Sequence, residues 1–113
     1  MKFRTRETTT FLYVLFRDLK GFSAEDLHKE ARRAGKLAVG FHYLVRESGV
    51  VALGREADAV ADYDMENCDS AIYVLVDQGQ RKRPTDSQRT AVKALIVAIT
   101  ERHPEVKIIK QHQ

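Results

Sequence analysis

The apolar positions of this chain fall into short blocks of two periods. Phe11-Leu12-Tyr13-Val14-Leu15-Phe16 and Ala71-Ile72-Tyr73-Val74-Leu75-Val76 are unbroken runs, and their aromatic and β-branched content predicts strands buried on both faces. Elsewhere the spacing lengthens to that of helices. Ser23, followed by Glu25 and Asp26, supplies an N-cap with acidic residues in the first turn. Leu27, His28, Ala31 and Ala34 then share one side, and Gly35 is placed as the stop. Thr85-Asp86-Ser87-Gln88 opens a second helix in which Ala91, Val92, Leu95, Ile96 and Ile99 recur at helical spacing. It ends near His103, because Pro104 pushes the residue before it out of helical geometry. Val106-Lys107-Ile108-Ile109 predicts a last short strand.

The stretch from Val39 to Arg55 reads as a hairpin. Phe41, Tyr43 and Val45 alternate with His42, Leu44 and Arg46, the period of a strand with one buried face, and Ser48-Gly49 supplies a tight reversal. The order is strand, helix, hairpin, strand, helix, strand. That predicts an α/β fold, a mixed β-sheet flanked by helices. With 113 residues the chain suits a single domain, 1–113, built on one core.

Composition narrows the classes further. Hydrophobic residues at 43% and charged residues at 31% are globular values and exclude disorder throughout. No apolar run approaches the roughly 20 residues of a membrane span, and Met1 to Glu7 is too polar for a signal peptide. Cys68 is the only cysteine, which excludes an intrachain disulfide and a thiolate cluster. A cytoplasmic protein is expected. The net charge of +3 is unevenly spread: Glu56, Asp58, Asp62, Asp64, Glu66 and Asp69 stand without a base among them, and Arg81-Lys82-Arg83 follows. Each run reads either as a solvated loop or as a surface for a partner of opposite charge.

Candidate chemistry is sparse. His28, His42, His103 and His112 include no pair at the spacing of a helical metal site. The acids of Asp62-Tyr63-Asp64-Met65-Glu66 lack the glycine and length of a calcium loop. Cys68 and His42 have no orienting third group for nucleophilic catalysis. No phosphate-binding glycine loop or nucleic-acid motif occurs, so neither nucleic acid nor a membrane is an expected partner.

The wording of the hairpin carries more. Gly40-Phe41-His42-Tyr43, two apolar residues, a charged turn ending in Gly49 and a return closed by Gly54-Arg55 resemble the peptidoglycan amidases related to peptidoglycan recognition proteins, especially the amidase-type phage lysozymes. The resemblance runs from about Leu12 to the C-terminus and implies that family's fold. It also implies where the family's chemistry falls. The zinc-binding histidine at the end of the first central strand corresponds to Leu15, and the tyrosine whose hydroxyl assists catalysis corresponds to Phe41, followed by His42. The family's Gly-x-His and Tyr-Asn-x-x-Ser-Ile-Gly loop corresponds to Ala61-Asp62-Tyr63 and Asn67-Cys68-Asp69-Ser70-Ala71-Ile72. A second zinc ligand falls on Gln111 in gapless matching, or on His112 with a shift of one residue. The third ligand and a catalytic lysine lie in a segment beyond this chain.

A zinc hydrolase needs three protein ligands around an open position, so the resemblance implies a non-catalytic relative, phage-derived, with neither metal nor cofactor. Two functions follow from it. In one, a vestigial cleft bounded by Phe41, His42, Tyr63, Asn67, Lys110 and His112 binds or sequesters a small ligand. That ligand is a muropeptide, or a nucleotide-type signal held by Arg81, Lys82 and Arg83 with the aromatic rings. In the other, the chain is a protein-protein regulator, an inhibitor of a host protein such as a polymerase or a defence factor. An active zinc amidase, completed by another subunit or by an unusual metal site, is a third alternative.

Overall fold

The computed structural model describes residues 4–35, 39–62 and 65–112. They form one five-stranded sheet with a helix on each face. The elements in chain order are β1 (Phe11–Arg17), α1 (Ala24–Arg33), β2 (Tyr43–Val45), β3 (Val51–Leu53), β4 (Ala71–Asp77), α2 (Asp86–Arg102) and β5 (Lys107–His112). The spatial order of strands is β3-β2-β4-β1-β5. β1 lies between β4 and β5 and is parallel to both, β2 is parallel to β4, and β3 closes the sheet antiparallel to β2.

The two apolar runs become the central strands because a parallel sheet covered on both faces leaves no polar side for its inner strands. Leu12, Val14 and Phe16 of β1 join Ile72, Val74 and Val76 of β4 on one face, where Val92 and Ile99 of α2 pack. Tyr13 and Leu15 join Phe41, Leu44 and Tyr73 on the other, under Ala24 and Leu27 of α1. Leu12, Val14 and Leu44 are fully buried, and side chains of that size each contribute about 1.5–3 kcal/mol.

Both helices start where the capping residues stand. Ser23 and Asp26 form a capping box on α1, and Thr85 and Gln88 form one on α2. Gln88 does more than cap. It is fully buried, and its Nε2 donates to the carbonyls of Asp77 at 2.6 Å and Val45 at 3.4 Å. The start of α2 is thereby fastened to the ends of β4 and β2. The Asp77 carboxylate likewise accepts from the backbone N–H groups of Leu19, Gly21 and Gly79 at 3.0–3.2 Å, joining the loops that leave β1 and β4.

Two expectations need correction. The first hairpin strand is not buried on one face only: Phe41, His42, Leu44 and Val45 are all buried. β2 has β4 on one edge and β3 on the other, and both of its faces are covered because Val45 packs into the core under α2 and Leu44 into the core under α1. The last strand also runs beyond Ile109 to His112. Its polar residues pair with β1 through the backbone, which does not depend on side-chain character, and as an edge strand it leaves them in solvent.

Candidate functional site

The parallel register of β1 and β5 decides which residue stands beside Leu15, where the resemblance places a zinc-binding histidine. Leu15 pairs with Gln111 and Phe16 with His112. Residues paired in this way project to the same face, and successive residues to opposite faces. Leu15 belongs to the core under α1, whereas Phe16 belongs to the core under α2. Gln111 therefore stands beside Leu15, and His112 lies across the sheet, its ring stacked on Phe16 with centroids 4.4 Å apart. The placement of His112 in the vestigial cleft is corrected by this register.

Under α1 is a groove of about 340 Å³, lined by Leu27, Ala31, Phe41, Asp62, Met65 and Leu75 among others, Leu75 being the register partner of Leu15 on the next strand. Phe41 is held at its edge by the returning strand. The N–H of Arg55 donates to the Phe41 carbonyl at 2.9 Å, and that of Gly54 to the His42 carbonyl at 2.8 Å. A Cβ at residue 54 would meet the Phe41 carbonyl oxygen at 2.3 Å, which accounts for the glycine.

His42 does not face this groove. Its side chain has no exposed surface, and both ring nitrogens are engaged by backbone. The N–H of Tyr73 donates to Nδ1 at 3.0 Å, so Nε2 carries the proton and donates to the Ala59 carbonyl at 2.8 Å. Burial pushes the imidazole pKa down to about 4, partly opposed by the Ala59 bond and reinforced by the charges of Arg6 and Arg55. The expected ligand contact from His42 is thus replaced by a neutral linker between β4 and the acidic loop.

Asn67 is also a scaffold residue. It has φ +52°, a left-handed conformation that asparagine tolerates, and its Nδ2 donates to the Tyr13 hydroxyl at 2.7 Å. Tyr13 stacks on Tyr73 at 4.8 Å and 5°, and the Tyr73 hydroxyl donates to the Glu66 carbonyl. Burial, with Tyr13, Glu66 and Cys68 nearby, raises the Tyr73 phenol above its ordinary pKa. Tyr63 lies outside the described residues.

The acidic stretch is less solvated than its charge predicts. Asp62 is buried, and the Arg55 guanidinium, whose charge is disfavoured by its own burial and supported by Asp62, donates to the carbonyls of Val39 and Val60 at 2.9 Å. On the other flank Arg6 donates to the Ala59 carbonyl at 2.7 Å, and Thr5 bridges Ala59. Arg6 and Arg55 thus tie down the loop; sequence reasoning gave neither this role, since Arg6 carries no motif and Arg55 entered only as the close of the hairpin. Gln88 stood in a recognisable capping box, but its burial became visible only with the fold.

The basic run lies away from the α1 groove. Arg81 and Lys82 line a cavity of about 390 Å³ with Phe16, Arg17 and His112. Arg81 donates to the Gln78 carbonyl at 2.7 Å and pairs with Glu47; Arg83 is exposed. The seven expected site residues that are described therefore do not form one site. Phe41 and Asn67 belong with the α1 side, whereas Arg81, Lys82 and His112 meet on the α2 side. A larger cavity, about 800 Å³, lies elsewhere, between the N-terminal segment at Arg6 to Thr9 and the last turns of α2. Among the described residues no group of three His, Cys, Asp or Glu side chains is gathered as a metal site.

Comparison with solved structures identifies the architecture. The chain is similar to the Ph2119 endolysin of the Thermus scotoductus bacteriophage Ph2119, with TM-score 0.74 and 18% identity, covering 96% of this chain and 75% of that one. It is similar to the endolysin N-acetylmuramoyl-L-alanine amidase LysCS of Clostridium intestinale, with TM-score 0.79 and 16% identity over 91% and 69%. It is also similar to the ectodomain complex of peptidoglycan recognition proteins LCa and LCx bound to tracheal cytotoxin, with TM-score 0.76 and 14% identity over 97% and 75%. No protein-family profile and no curated protein sequence matches the chain.

Proposed function

We propose, from the fold of the peptidoglycan amidases and peptidoglycan recognition proteins that this chain has, that it is a non-catalytic binding protein. In this reading the groove under α1 takes a muropeptide. The observation that carries it is the pairing of Leu15 with Gln111, at the positions where the resemblance places two zinc ligands. An aliphatic side chain donates no electron pair, and a carboxamide is a poor substitute for imidazole or thiolate on zinc. The residues present do not fit the metal, and no hydrolytic step is derived through it. Phe41 removes the hydroxyl of the neighbouring tyrosine position as well. One strand away, past Leu75, the register partner of Leu15, lies an apolar trough whose walls, Leu27, Ala31, Leu75 and Met65, suit the methyl groups of a lactyl-peptide, with Asp62 at its side.

The neighbour bound to tracheal cytotoxin supports a ligand in a cleft of this fold. Phage origin and a cytoplasmic location belong to the same proposal. The test is titration of muramyl dipeptide into the full chain, in the presence of a chelator, followed by backbone NMR. Saturable shifts at Gly40, Phe41 and Leu75 that disappear in Ala31→Trp, which fills the groove from α1, support the reading. No shift at millimolar ligand overturns it.

A second reading, a protein partner, is favoured by one observation. β3 is an edge strand whose Leu53 is 68% exposed, with Val50 next to it 59% exposed, and an exposed apolar edge accepts a strand from another chain. Leu53→Lys abolishes capture of that partner and leaves muramyl dipeptide binding unchanged.

A further inference from the structure

On the face of the sheet opposite the α1 groove, the Phe16–His112 stack forms the wall between two cavities that both rings line. The rings are 4° from coplanar. Phe16 is buried, 7% exposed, so it backs the stack from the core, while His112 is exposed and offers its outer face. An aromatic ring held flat in this way is a platform for another flat ring.

The surroundings of the platform are divided by chemistry. The cavity on one side, about 390 Å³, carries Arg17, Arg81 and Lys82. The cavity on the other, about 540 Å³, has the apolar surfaces of Val92, Ile96 and Val97 on α2, with Arg89, Lys93 and Lys110 around them. No aspartate or glutamate lines either one. Arg81 is paired with Glu47 and Arg89 with Asp86, and Arg17 donates to the carbonyls of Phe16 and Gln111. Lys82, Lys93 and Lys110 have no ion-pair partner among the described residues, so their charge faces the groove unneutralised. Like charges gathered around an apolar surface repel one another, and an anion relieves that repulsion.

Topology places this groove where a parallel sheet opens. It lies at the carboxyl ends of β1 and β5 and over the loop that leaves β4. From adjacent β1 and β4 the chain departs in opposite directions, β1 through α1 to β2 and β4 through α2 to β5, with the helices on opposite faces. Such a switch point leaves a crevice outside the strand ends, and ligands of open α/β sheets bind there. The Asp77 and Gln88 hydrogen bonds fix the loops on both sides of it.

We propose that this groove is a nucleotide site, in which a base stacks on the outer face of His112 and the phosphates lie between Lys82 and Arg17, with Lys110 adding its charge from the other side of the ring. A bare anion makes no use of the ring platform or the apolar side, and an uncharged aromatic makes no use of the lysines; a nucleotide uses both. The site is distinct from the α1 groove and independent of muropeptide binding there.

The experiment is calorimetric titration of the full chain with each of the four ribonucleoside triphosphates, with inorganic triphosphate and a single-stranded RNA decamer as controls. At least one nucleotide is expected to bind saturably, at least about tenfold tighter than triphosphate. His112→Ala is expected to weaken it at least fivefold, the lower range of base stacking on an aromatic side chain, and His112→Phe to restore it. Lys82→Ala is expected to steepen the loss and to flatten the salt dependence. Equal affinity for triphosphate and nucleotide, or unchanged affinity in His112→Ala, overturns the proposal. Binding of the decamer without any mononucleotide also overturns it, in favour of a nucleic-acid surface. Muramyl dipeptide binding measured on the same variants is expected to stay unchanged, so failure here is separable from failure of the α1-groove reading.

Discussion

Leu15 and Gln111 are partners in the parallel register of β1 and β5, on neighbouring strands about 4.8 Å apart. Two imidazoles at these positions would stand close enough to share one ion. Leu15→His with Gln111→His is therefore expected to confer binding of Co²⁺, visible as d–d absorption and a rise in Tm with metal, whereas the wild-type chain shows neither. Because Leu15 is buried, the double variant is also expected to lose about 1–3 kcal/mol without metal. A wild-type chain that gives the same cobalt spectrum contradicts the reading of this position.

His42 makes stability depend on pH. Its folded pKa of about 4 lies below the ordinary 6.5, so the unfolded chain binds the proton more readily. Stability from the neutral ring is fully present above pH 6.5 and is lost as pH falls towards 4, by about 1.4 kcal/mol per unit at most and roughly 3 kcal/mol in all. Urea unfolding at pH 7.5 and pH 5 measures it. His42→Phe leaves the Tyr73 N–H unpaired, while Arg6 still donates to the Ala59 carbonyl; it costs about 1–3 kcal/mol at pH 7.5, and is expected to flatten the pH dependence relative to wild type.

A Cβ at residue 54 would meet both the Phe41 carbonyl oxygen and the edge of the Phe41 ring. Gly54→Ala must move the returning strand or Phe41, and is expected to cost about 1–3 kcal/mol. NMR shifts are expected to concentrate at Phe41 and the α1 groove. A variant as stable as wild type, with an unperturbed Phe41, contradicts the packing described.

Asn67 separates two effects in one residue. Asn67→Gly keeps the left-handed backbone and loses only the bond to Tyr13, about 1 kcal/mol. Asn67→Ala loses the bond and adds about 1–2 kcal/mol of backbone strain. Chemical denaturation of the two variants is expected to rank them in that order.

Much of this fold was legible because its central strands are unbroken apolar runs and both helices carry capping boxes. Phe11 to Phe16 and Ala71 to Val76 give β1 and β4 to within a residue, and Ser23 and Thr85 mark both helix starts. What one sequence did not carry was which face a residue takes. His42 reads as a site histidine until the Tyr73 N–H and the Ala59 carbonyl engage both its nitrogens in the core just before β2, and the choice between Gln111 and His112 depends on a pairing partner far away in the chain. The same limit applied to Arg81 and Lys82, whose neighbours Phe16 and His112 come from strands that the local sequence does not mention.

The central claim is that the amidase-type cleft binds without hydrolysing. Its most direct test is native mass spectrometry of the full chain purified with zinc in every buffer, followed by incubation of the same sample with purified peptidoglycan. The account predicts a mass without stoichiometric zinc and no release of peptides from the glycan. One zinc retained per chain together with cleavage of the N-acetylmuramoyl-L-alanine bond would contradict it.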